Sequence, residues 1–184
     1  MDAKAAANEK LSASQPDLID LSHRIHANPE LGFEEHLAST WLCEMLSAAG
    51  FKVEAGVCEM PTAFIARAGS GPLHVAICAE YDCLPQIGHA CGHNLIAAMA
   101  AGAGIAAAQV ADEVGLTVSV FGTPAEEVGD GGGKVLMLER GGFAGIHAAM
   151  MVHPSAIGAL AMAWTAIDLA SDRALRDHLI KGAI

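Results

Sequence analysis

The chain has 184 residues, enough for one domain with its own hydrophobic core. Ten Lys and Arg against 21 Asp and Glu give a formal net charge of −11, which excludes the basic stripe of a nucleic-acid footprint and opposes binding to an anionic membrane surface. Five cysteines (Cys43, Cys58, Cys78, Cys83 and Cys91), odd in number and irregularly spaced, exclude a disulfide scaffold and fit a reducing cytoplasm.

Residues 1–15 are polar and rich in Ala and Ser, without the apolar stretch of a secretory signal, and read as a flexible tail. The remainder, residues 16–184, reads as a single α/β domain. Leu18, Leu21 and Ile25 recur at helical spacing and predict a helix over 15–28, opened by Pro16 and stopped by Asn28-Pro29. A second helix is predicted over 34–49, with Leu37, Trp41, Leu42 and Met45 on one face and Gly50 closing it. The period then shortens. Strands are predicted at 51–54 and 62–67, and the apolar run Leu73 to Ala79 suits a buried strand of a sheet covered on both faces.

A long Ala-rich helix follows over about 92–110, and its run from Leu95 to Ala108 is too short to cross a membrane. Leu116 to Phe121 is another strand, rich in β-branched residues. A helix over 133–140, a strand over 148–152 and a helical stretch over 157–181 complete the chain. Strands alternating with helices predict an α/β fold with a mostly parallel sheet flanked by helices. Ligands of such sheets gather at the carboxyl ends of the strands. The chemically capable residues fall there: Glu80 and Asp82 after one strand, Glu126 and Glu127 after the next, His153 after the last.

Cys91 and His93 offer a thiolate and an imidazole from one loop ahead of a helix, both suited to borderline-soft divalent metals. A core cysteine beside a capping loop is the structural alternative. His89, two residues earlier, is a candidate ligand or a support for one. Glu126 and Glu127 are adjacent carboxylates after an apolar strand and ahead of a Gly-rich loop. One can hold a metal while its neighbour handles a proton, and a cation would offset their mutual repulsion. A solvated acidic turn is the alternative. His153, ahead of Pro154 at a strand end, is a ligand candidate whose alternative is a satisfied polar residue.

Other motifs fail on spacing. Gly129 to Lys134 has the look of a phosphate loop, but Val128 and Val135 occupy positions that the motif needs filled otherwise. Gly102 and Gly104 lie within a helix, so no dinucleotide fingerprint is formed. Neither a His-Glu-x-x-His nor a Gly-x-Ser-x-Gly sequence occurs.

Five segments in order resemble the M20 family of metallopeptidases, in its amidohydrolase branch. They are His26-Ala-Asn-Pro-Glu-Leu-Gly-Phe-Glu-Glu35, Ala79-Glu-Tyr-Asp-Cys-Leu-Pro85, Gly88-His-Ala-Cys-Gly-His-Asn94, Gly122-Thr-Pro-Ala-Glu-Glu127 and Met151-Val-His-Pro154. The set is most similar to the Xaa-Arg or β-alanyl-lysine dipeptidase group, with aminobenzoyl-glutamate and N-acyl-amino-acid hydrolases as relatives.

The resemblance implies a metal-dependent hydrolase of amide or peptide bonds, acting on dipeptides or N-acyl amino acids. Cys91, His93, Glu127 and His153 would bind one or two divalent ions (Zn, Mn or Co), with Cys91 bridging a pair. Glu126 would be the general base toward a metal-activated water, and Asp82 would support the ligand set. Glu80 stands where other branches of the family carry a ligand histidine.

The resemblance also implies features that this sequence does not carry. The family's lid and dimerisation module, with its Gly-Lys-x-x-His-Ala motif, and a further ligand histidine have no counterpart here. His178, the one histidine after His153, lies among charged residues. Residues 159–180 resemble the family's closing helix. These departures predict weak or absent hydrolysis by this chain. They leave a non-catalytic metal-binding or interaction module as the competing expectation, and they leave the oligomeric state open.

Overall fold

The computed structural model describes residues 2–154 and 158–182. Helix α1 runs Ala3–Ala27, α2 His36–Ala48, α3 His93–Ala108, α4 Ala111–Val114, α5 Gly133–Glu139, α6 Gly158–Ser171 and α7 Arg173–Lys181. Strands are β1 Lys52–Ala55, β2 Phe64–Ala68, β3 Leu73–Ala79, β4 Leu116–Gly122 and β5 Ala148–Met150. The helical stretch predicted over 157–181 is divided at Asp172, whose side chain accepts from the Leu175 amide and caps α7. Its predicted first residue, 157, lies outside the described residues.

Residues 3–15, read from sequence as a flexible tail, form the first half of α1. Asp2 caps this helix through the Lys4 amide, and the Ala-rich segment has high helix propensity. Ala6 and Ala7 are buried. Pro16 therefore lies inside the helix rather than at its start, at the loss of one backbone donor. At the other end Asn28 closes the helix, as the Asn-Pro pair predicts.

The sheet order is β1-β2-β4-β3-β5. Strands β4, β3 and β5 are parallel neighbours, whereas β2 is antiparallel to both β1 and β4. The sheet is thus mixed. A short connection joins β1 to β2 and permits antiparallel pairing, while the longer link from β3 to β4 carries α3. Alternation within β3 sends Val75 and Ile77 to one face and Ala76 and Cys78 to the other.

The first face packs under α1, α3 and α6 with Leu21, Ile25, Ala103 and Ala163. The second holds a smaller cluster with Phe121, Met137 and Ile146. Both faces of β3 are covered, which is why it reads as an unbroken apolar run. Helix α3 is buried on nearly every side, so its sequence shows little amphipathic pattern. Its small residues admit close neighbours: a Cβ at Gly102 would lie 2.7 Å from Leu18 Cδ1 of α1.

Candidate metal centre

Beyond β3 the extended chain alternates for three more residues. Tyr81 turns into the core, fully buried, and its hydroxyl donates to the Thr62 carbonyl at 2.7 Å. Glu80 and Asp82 are the residues on either side of it, and both are buried. β4 ends alongside at Gly122, and the Thr123 amide continues the pairing by donating to Ala79 O at 2.9 Å. Gly122 is required there, because a Cβ would meet the Phe64 ring at 2.2 Å and the Tyr81 hydroxyl at 2.7 Å.

Two loops complete the centre. Cys91 and His93 flank Gly92, whose φ of 81° is the left-handed turn into α3. A Cβ at Gly92 would lie 2.9 Å from Pro154, so the loop and the chain after β5 are close-packed. Glu126 and Glu127 follow Ala125, which has a φ of 56°. A non-glycine residue in that region costs about 1–2 kcal/mol, and an external brace offsets it. The Ala125 amide donates to the buried Glu35 carboxylate at 2.7 Å, and Thr62 donates to the other Glu35 oxygen at 2.9 Å.

The segment His26 to Glu35 therefore acts structurally. Glu30 receives the amides of Leu37 and Ala38 at the start of α2, at 2.9 Å each. Gly32 lies close against Ala125 and Val128, and Glu35 fixes the carboxylate loop.

At the centre is His93, 1% exposed. Its Nδ1 lies 2.9 Å from Asp82 Oδ1 and 3.0 Å from the Asp82 carbonyl. An N–H at Nδ1 satisfies both oxygens and leaves the Nε2 lone pair free. Around Nε2 stand Glu80 Oε2 at 3.6 Å, Glu126 Oε2 at 3.7 Å and Glu127 Oε1 at 3.7 Å. These separations exceed a hydrogen bond. They suit donors that share one ion, since two ligands about 2.1 Å from a metal at a tetrahedral angle stand about 3.4 Å apart. Donor atoms of Glu80, His93 and Glu126 lie within 4.8 Å of one another. The donor set of imidazole and carboxylates thus fits a divalent ion.

The electrostatics follow from this crowding. Burial works to raise the Asp82 carboxyl, but hydrogen bonds from His93 and the Glu127 amide outweigh it and hold the group below its ordinary value. Burial works to lower His93, and the Asp82 hydrogen bond with the charges of Asp82, Glu80 and Glu127 raises it instead. Hydrogen bonding to the Glu127 carboxylate pushes the Cys91 thiol up to about 11, with burial and the surrounding carboxylates adding to the effect. A bound cation inverts that last trend, because a coordinating thiol is deprotonated.

The residues expected from sequence divide accordingly. Asp82, Glu126 and Glu127 come together around His93, and Cys91 borders them through the Glu127 carboxylate, outside the three grouped donors Glu80, His93 and Glu126. His153 is exposed and stands outside the grouped donors, as does His89, which is buried beside His26 with ring centroids 6.3 Å apart. Glu80, which the sequence places at this strand end without a role of its own, lies in the centre, and Lys134 joins it as a residue that sequence did not single out for it. Glu80 faces His93, and the Lys134 ammonium contacts Glu80 Oε1. Lys134 belongs to the Gly-rich segment that fails as a phosphate loop. Its sequence gives no sign of a partner 54 residues away.

No family model matches the sequence. The chain is 41% identical over 167 residues to a mouse Xaa-Arg dipeptidase, covering 83% of this chain and 38% of that protein. It is 33% identical over 172 residues to a p-aminobenzoyl-glutamate hydrolase polypeptide of Escherichia coli, covering 83% of this chain and 35% of that protein. The fold superposes on a Bacillus subtilis protein described as a dinuclear metal-binding peptidase of the M20 family, with a TM-score of 0.69 and 26% identity. That match covers 78% of this chain and 44% of the other.

The chain belongs to the M20 family. It spans less than two-fifths of the length of the two curated M20 relatives.

Proposed function

We propose that this chain contributes the metal-binding part of an M20 active site that hydrolyses the amide bond of dipeptides or N-acyl amino acids. The observation that carries the reading is the ring of three carboxylate oxygens around His93 Nε2, backed by the Asp82–His93 contact. The names of the relatives support the substrate class.

In this reading Cys91, His93, Glu127 and His153 hold Zn, Mn or Co, as one ion or a pair. Support for His153 is topological: β5 is parallel to β3 and adjacent to it, so the chain leaves the sheet on the side of Glu80. A bound divalent ion supplies an acidified water and Lewis acidity toward the scissile carbonyl. Glu126, on the open side of the cluster, takes the proton of the attacking water and delivers it to the departing amine. Asp82 fixes the tautomer and ring plane of His93. Tyr81 and the Glu35–Ala125 brace keep the two carboxylate segments in register.

Five free cysteines support a reducing, cytoplasmic setting. No described helix is long and apolar enough to cross a membrane.

The test is metal content of the purified chain by elemental analysis, followed by a chelator-controlled screen of dipeptides and N-acyl amino acids. Retained metal with hydrolysis that Glu126→Ala abolishes supports the reading. Metal without any hydrolysis to lose favours a non-catalytic metal-binding module. Absence of metal binding by a folded chain overturns the site.

A further inference from the structure

We infer that Glu80 is itself a metal ligand, through Oε2, and that Lys134 selects this oxygen by holding the other. The inference rests on the proposed metal centre and adds to it a ligand that sequence did not assign. Glu80 is completely buried, yet its two oxygens have different surroundings. Oε1 contacts the Lys134 ammonium. Oε2 has no hydrogen-bond partner among the described residues and faces His93 Nε2 at 3.6 Å.

A buried acceptor without a donor costs about 1–3 kcal/mol, and more when charged. His93 does not relieve it. With the proton on Nδ1 toward Asp82, Nε2 is a lone pair, so two acceptors face each other across the gap. With a second proton on Nε2, the distances to Glu80, Glu126 and Glu127 are all too long for a hydrogen bond. A cation between them satisfies all four groups at once. The Lys134 ammonium cannot be that cation while it is engaged on the far oxygen of Glu80. Its role is to neutralise part of the carboxylate charge and to leave a single oxygen directed inward, so that Glu80 binds through one atom.

The experiment is calorimetric titration of Zn²⁺ into the metal-stripped chain, with the visible spectrum of the Co²⁺-loaded chain as a report on coordination. Glu80→Gln is compared with Glu80→Gln/Lys134→Met. The double variant removes the ammonium that the single variant leaves without a counter-charge. Folding is checked by far-UV circular dichroism. Affinity is expected to fall on the order of tenfold or more in both variants, and the Co²⁺ bands to shift. Unchanged affinity and bands in the folded double variant, against a wild-type chain that binds, overturn the role of Glu80 alone. A folded wild-type chain that takes up neither ion overturns the metal centre and this inference together.

Discussion

Asp82 Oδ1 lies 2.9 Å from His93 Nδ1, and the same carboxylate receives the Glu127 amide on Oδ2 at 2.9 Å. One side chain thus orients an imidazole from α3 and a loop from the end of β4. Asp82→Asn keeps a single acceptor, so its NH₂ must face either the His93 ring or the Glu127 amide. Metal affinity is expected to drop about 10–100-fold, with little change in far-UV circular dichroism. Competition against a chromophoric chelator measures it. An unchanged affinity would show that His93 needs no orienting partner.

Glu126 and Glu127 lie equally far from His93 Nε2, at 3.7 Å, so distance does not separate base from ligand. Exposure does: the Glu126 side chain is 38% exposed and that of Glu127 24%. Glu126→Gln is expected to retain metal while turnover of a cleaved dipeptide falls about 10²–10⁴-fold. Glu127→Gln is expected to lose metal first. Elemental analysis beside steady-state kinetics separates the two, and the reverse pattern would exchange their roles.

Glu35 gives a prediction about pH. Burial pushes its carboxyl up, and the hydrogen bonds from Ala125 and Thr62 offset this only in part. A folded value above the unfolded one favours the protonated form in the native state. The stabilisation linked to that proton is complete below the ordinary glutamate value of about 4.3 and is lost as pH rises through the folded value. Glu35→Gln removes the titration and keeps an acceptor for Ala125. The stability of the variant relative to wild type is therefore expected to increase with pH across that window. Urea midpoints at a series of pH values test it, and a difference that stays flat or declines refutes the account.

The strands are legible in the sequence because their signal is local. Leu73–Ala79 is apolar at every position but His74, since both faces of the sheet are covered, and its limits match the structure. Helix α1 reads too short for the opposite reason. Its first half offers alanine rather than an apolar stripe, Pro16 imitates a helix start, and the burial of Ala6 and Ala7 depends on distant contacts. The division between α6 and α7 depends on one cap at Asp172. Cys91, His93, Glu126 and Glu127 can be read from residue type at strand and loop ends. The Glu80–Lys134 contact cannot, because nothing around either residue points to a partner 54 positions away. Likewise, nothing local says that Glu35 braces Ala125, 90 positions away.

Gly122 links the core to the metal centre. It ends β4 opposite Phe64, with the Tyr81 hydroxyl 2.7 Å from where a Cβ would stand. Gly122→Ala forces the Phe64 ring or Tyr81 to move, and neither is free to do so: both are fully buried, and Tyr81 is tied to the Thr62 carbonyl. Overpacking of this kind costs about 1–3 kcal/mol, or about 2–4 °C in Tm per kcal/mol for a chain of this size. Because Tyr81 separates Glu80 from Asp82, its displacement is also expected to lower metal affinity. Phe64→Leu, which shortens the opposing side chain, is expected to recover part of both losses in the double variant. Differential scanning calorimetry and metal titration on the four proteins of this cycle give the coupling. Additive losses would mean that Gly122 and Phe64 do not meet as described.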